Sequence, residues 1–204
     1  MPLKPLPYTA LKPLLRRHLS REEDDSTVAL IALLRPARRR GYLTRGQLEQ
    51  VCRWKSARAL ALVRQNTDHQ VRNTTRTALA TRSERTRLEA LMTLRGVSVP
   101  MASAILTMLY PHRYGVIDIR VWQLLVRMRA VSGNKTGIGL TFAHWVQFLV
   151  IIRDLAANFD VTARDIERSL FCIHERFQAG TLYRRPGKAS LRHKPGARND
   201  RSSE

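Results

Sequence analysis

Cysteine is almost absent from this chain. Cys52 and Cys172 are the only two in 204 residues. A disulfide framework, a structural zinc site built on grouped Cys and His, and a four-cysteine iron–sulfur cluster are all excluded within these residues. Long apolar runs are missing too. The longest patch, Phe148 to Ile152, is far too short to cross a bilayer. The start, Met1-Pro2-Leu3-Lys4-Pro5-Leu6-Pro7, lacks the apolar stretch of a secretory signal. The expectation is a soluble protein of the cytoplasm with no membrane partner. Acidic residues are scarce: sixteen Asp and Glu face thirty-six Lys and Arg, a net charge of +20. Such a surface attracts polyanions and releases their counterions on binding. Charge alone fits DNA, RNA, a ribosome or an anionic membrane surface, and it says nothing about chemistry.

What is present is helical periodicity. Apolar residues recur at steps of three and four, without an alternating strand or an Asn-Gly hairpin. The pattern predicts helices over Tyr8 to Leu19, with a break near Pro13, and from a Ser26 or Thr27 cap to Arg35, where Pro36 and the basic run Arg38-Arg39-Arg40-Gly41 interrupt. Thr44 caps Arg45 to Lys55, and a short helix spans Arg58 to Gln65. Further helices run from Thr67 or Asp68 to Ala80, from Ser83 to Thr93, from Val99 to Leu109 and from Asp118 to Met128. Two more follow the glycine loop Gly133-Gly137-Gly139: Thr141 to Asn158, and a last one from Thr162 to Phe177. Residues 180–204 hold seven Lys and Arg, two Asp and Glu, and few apolar residues, and read as a disordered basic tail. Residues 1–179 therefore form one all-α domain.

The stretch Leu94-Arg95-Gly96-Val97-Ser98-Val99-Pro100-Met101-Ala102 reads as a tight turn between two helices spanning 88–109. Gly96 supplies positive φ, and Pro100 is tolerated in the first turn of a helix. The N-terminal amides and dipole of that second helix favour an anion. Arg95, Gly96, Val97, Ser98, Val99 and Met101 are thus candidate contacts to a nucleic-acid phosphate, a contact that reads no bases. An ordinary helical hairpin with a glycine stop has the same pattern. Eighteen residues after Pro100 comes Asp118, in Val116-Ile117-Asp118-Ile119-Arg120. Asp118 is a good N-cap for the helix that follows. A rigid, ionised carboxylate also suits a site that must stabilise an oxocarbenium-like sugar or orient water.

These two segments together resemble the core of the helix-hairpin-helix DNA glycosylases, the endonuclease III-like superfamily, over roughly residues 88–127. In that family the hairpin is typically Leu-Pro-Gly-Val-Gly-x-x-Thr-Ala, and an Asp in a Val-Asp-x-x-Val/Ile context follows at about this distance as the catalytic acid. The resemblance implies a two-lobed helical fold with double-stranded DNA held between the lobes, Asp118 as the catalytic residue and the Gly96–Met101 turn as the phosphate grip. It departs from the family pattern at Ser98, where a second Gly is usual, and at Pro100, where members with lyase activity carry a Lys. The implied enzyme is accordingly a monofunctional DNA glycosylase that leaves an abasic site. No cofactor is implied beyond a monovalent cation at the hairpin, and no metal centre or iron–sulfur cluster.

Base excision requires the nucleotide to be flipped into an aromatic or apolar pocket. Candidates are Trp54, Lys55, Tyr114 and Trp122, with Arg120 as a DNA contact. Core packing explains Trp54 equally well, and is the commoner role for residues such as Tyr114 and Trp122. Lys55 is also the one lysine considered as an amine nucleophile from an unusual position. A damaged base and a modified base, including one carried by phage DNA in an antiviral defence role, fit alike. The sequence leaves open a non-catalytic helix-hairpin-helix DNA-binding protein in which Asp118 only caps a helix, and an RNA-binding protein. A monomer is expected.

Overall fold

A computed structural model describes residues 5–178. The described chain is helical and contains no β-strand. Ten helices follow in order: α1 Leu11–His18, α2 Asp25–Arg40, α3 Arg45–Ser56, α4 Leu60–Val63, α5 Asp68–Ala80, α6 Glu84–Met92, α7 Val99–Leu109, α8 Ile119–Arg127, α9 Phe142–Phe159 and α10 Ala163–Phe177. The tail expected at 180–204 lies outside the described residues.

Most helix starts are fixed by local side-chain bonds. Thr44 and Thr67 form reciprocal capping boxes with Gln47 and Gln70, and Thr162 does the same with Asp165. Ser83 caps α6 through Thr86 N. Several boundaries depart from the sequence pattern. α1 starts at Leu11, three residues after the expected Tyr8, and runs through Pro13. α2 is capped two or three residues earlier than expected, because the Asp24 carboxylate accepts from Thr27 N. It also runs through Pro36 to Arg40 and ends only at Gly41, whose φ is +80° and whose N–H reaches Ala37 O. Pro36 removes the bond to Ala32 O, but Ala32 is on the exposed side where water can take that carbonyl. Leu30, Leu34 and Ala37 on the other side stay buried and hold the helix together across the proline. The helix expected over 58–65 is instead a 3₁₀ turn at Ala57–Ala59 followed by the single turn of α4.

α7 is the central element. Ten of its eleven residues are buried, as its uniformly apolar sequence requires. α2, α3 and α6 pack against α7, and α10 packs against α1, α8 and α9. The segment from Tyr110 to Asp118 joins α7 to α8 and is clamped on both sides. Ile117 N donates to Ser103 Oγ of α7 at 3.1 Å. Gly115 lies so close to α10 that a Cβ there would stand 2.6 Å from the Cβ of Glu167. Glu84 of α6 fastens the middle, accepting from the Tyr114 hydroxyl, Arg87, Arg113 and Arg153. Burial alone would raise the Glu84 carboxyl, but these four donors prevail and hold it down at about 2.

Candidate active site

Asp118 stands at the first residue before α8, with extended backbone. Its Oδ1 accepts from Val121 N at 3.0 Å, the expected cap. Its Oδ2 accepts from Lys55 Nζ at 3.4 Å, across 63 residues of sequence. Lys55 lies in the last turn of α3, so two helices with no sequence proximity deliver a carboxylate and an amine to one point. Both side chains keep a little under one fifth of their surface exposed, and so face a cleft without being sealed from it.

Two cavities meet at this pair. The smaller, about 250 Å³, runs from Asp118, Lys55 and Arg120 to Gly96, Ser98, Pro100 and Met101 of the α6–α7 turn. The larger, about 570 Å³, runs the other way, between the C-terminal end of α3, the segment before α2 and the outer face of α10. Trp54 and Phe171 give it apolar walls, and Glu22, Glu23, Asp24, Arg164, Glu167 and Arg168 give it a polar lining.

The α6–α7 turn is built from its one glycine. Gly96 has φ +81°, and a Cβ there would lie 2.9 Å from Val63 Cγ2 and 3.1 Å from Ala59 O. Glycine is therefore needed twice, for its conformation and for the approach of α4. Asn66, almost fully buried, latches the turn from outside: its amide accepts from Arg95 N at 2.9 Å and donates to Arg95 O and Val63 O. Val97 and Val99 bury their side chains in the core, and Val97 N is taken by Leu94 O at 3.1 Å, so of the two only the Val99 amide is left for a ligand. Ala102 N makes the first intrahelical bond to Ser98 O. The amides of Val99 and Met101 precede it, and helix geometry gives them no partner within α7.

The floor of the larger cavity is an ion network. Arg164 bridges Glu23 at 2.7 Å and Glu167 at 2.5 Å, and its guanidinium carbon sits 5.4 Å from the Trp54 ring centre. Burial pushes the Glu167 carboxyl up; Arg164 opposes this and the neighbouring Asp118 adds to it. Trp54 is held by its Nε1 bond to Thr27 Oγ1 at 2.8 Å. Arg120 spans both cavities, paired with Glu175 at 2.8 Å and lying over the Phe171 ring.

No family model, no curated protein and no solved structure matches the chain. The arrangement must therefore be read on its own geometry.

The structure places Lys55, Asp118 and Arg120 in both cavities, Trp54 in the larger, and Gly96, Ser98 and Met101 in the smaller. Tyr114 and Trp122 line neither cavity. Tyr114 is buried on Glu84 and stacked on Trp145, while Trp122 is fully buried with its Nε1 on Asn134 O. Their proximity to Asp118 in sequence misleads, because α8 turns its apolar face inward and takes Trp122 with it. Glu22, Glu23, Asp24, Arg164, Glu167 and Phe171 were not anticipated. They come from the segment before α2 and from α10, and no local motif marks them. Among the described residues no group of three His, Cys, Asp or Glu is placed to hold a metal ion, and no helix is long and apolar enough to cross a membrane.

Proposed function

We propose that this protein is a DNA glycosylase: the two cavities form the cleft of a two-lobed helix-hairpin-helix fold, and Asp118 carries the chemistry. The observation behind the reading is that a helix-capping carboxylate lines both the cavity that reaches the glycine turn and an aromatic-walled cavity of about 570 Å³, roomy enough for an extruded base. In this reading the Val99 and Met101 amides, which have no partner within α7, take a phosphate of the duplex backbone. The target nucleotide flips so that its base enters the larger cavity against Trp54.

Cleavage of the C1′–N bond leaves positive charge on the sugar and negative charge on the departing base. Asp118 meets the first and orients the water whose oxygen replaces the base at C1′. Lys55, 3.4 Å from the carboxylate, stands where its ammonium can meet the second. Without a base present the two charges pair with each other, which keeps both in place. Pro100 stands where the resemblance would put a lyase lysine, so the product is an intact strand with an abasic site.

The test is base release from duplexes carrying oxidised, alkylated, deaminated, hydroxymethylated or glucosylated bases, with abasic sites revealed by alkali. Release from one class of substrate supports the reading and names the base. Strand breaks without alkali would instead make Lys55 an amine nucleophile. Tight binding with no release from any duplex would leave a DNA-binding protein in which Asp118 is only a cap.

A further inference from the structure

We propose a second phosphate-binding station, built on Tyr42 at the far end of α3, which extends the DNA footprint beyond the hairpin. The proposal rests on the nucleic-acid reading above, although not on catalysis. The guanidinium carbons of Arg40, Arg76 and Arg72 lie 4.7, 4.8 and 5.5 Å from the centre of the Tyr42 ring. Three like charges within 5.5 Å of one ring centre repel one another at separations of about a Debye length, ~10 Å, or less. Arg72 is balanced by Asp68. Among the described residues Arg40 and Arg76 make no ion pair, and are steadied by neutral acceptors: Tyr42 O and Gln47 Oε1 for Arg40, Asn73 Oδ1 for Arg76. Tyr42 orients the cations without neutralising them. Such a cluster is incomplete until an anion with several oxygens bridges its forks, as a phosphodiester does.

Its location favours the DNA backbone over any other anion. Asn66 holds the hairpin turn at Arg95, and α5 begins two residues later at Asp68, which also accepts from Arg45 N. Asp68, Arg72 and Arg76 are spaced four apart and so share one face of α5. At 1.5 Å per residue that face extends about 12 Å from the hairpin side to Tyr42. This is between three and four base-pair steps of about 3.4 Å along a strand. A duplex gripped at the hairpin and lying along α5 would bring a phosphate to the cluster.

The experiment measures affinity for an undamaged duplex of about 25 base pairs as a function of salt, for the full chain and for the double variants Arg40→Gln/Arg76→Gln and Arg40→Lys/Arg76→Lys. Each lost phosphate contact flattens the slope of log affinity against log salt by about 0.9. The Gln variant should lose between one and two of these, and the Lys variant should keep the wild-type slope. The deficit should vanish on duplexes too short to reach from the hairpin to the cluster. An unchanged slope in the Gln variant overturns the station while leaving the hairpin reading intact, and so does a Lys variant that behaves like Gln. A wild type that binds no duplex overturns both. Because binding is read without base release, an absence of glycosylase activity does not affect the outcome.

Discussion

At the scale of single residues, the positions that matter most are those whose chemistry the surroundings leave no room to change. Gly96 is one. Any other residue must adopt φ near +81° and push its Cβ into Val63 and Ala59 O. Gly96→Ala should cost about 2 kcal/mol in chemical denaturation, from backbone strain and overpacking together. Its affinity for duplex DNA should fall as well, because the turn moves. His174 is another. It is fully buried on α10 with Nε2 3.2 Å from Gln123 Oε1. Burial, helped by Arg120, lowers it from 6.5 to about 4. Between those values the unfolded chain binds a proton that the folded chain refuses, so stability should rise with pH from 4 to 6.5 through this group. Thermal melting of wild type and His174→Gln across that window checks it: the variant should show a shallower dependence.

At the scale of elements, the sequence announces helices well and their mutual placement poorly. α7 and α10 begin and end where apolar period, proline and threonine caps put them, because those signals are local. α2 outran its proline because burial of Leu34 and Ala37 against the rest of the fold outweighs one missing hydrogen bond. No local pattern records that balance. The same limit governs the site. Asp118 and the glycine turn are legible since each is a cap or a turn in its own right. Lys55 is legible as a charged residue beside Trp54, but its pairing with Asp118 depends on how α3 meets α8. Glu23, Arg164 and Glu167 form a network spanning 144 positions of sequence that only tertiary packing closes. Asn66 shows the point in miniature. In the sequence it merely follows a short helix, yet its amide joins α4 to the hairpin through three bonds. Asn66→Ala should cost about 2 kcal/mol by stranding buried backbone groups. It should also weaken DNA binding while leaving the Asp118–Lys55 pair in place, which separates hairpin grip from chemistry when affinity and rate are measured side by side.

At the scale of the whole molecule, a basic exterior encloses a cavity whose charges nearly balance. The chain carries +20, whereas in the larger cavity Glu22, Glu23, Asp24, Asp118 and Glu167 face Lys55, Arg120, Arg164 and Arg168. On the proposed reading the exterior would draw in the phosphate backbone, and the near-neutral cavity would take an uncharged base. The central claim is that Asp118 is chemical as well as structural. Asp118→Asn keeps the size of the side chain and an oxygen for Val121 N, so the cap survives. Single-turnover base release by this variant, measured together with its affinity for the same duplex, is the most direct test. Release should slow by at least about a hundredfold at nearly unchanged affinity. Base release at the wild-type rate from a variant that binds equally well would contradict it.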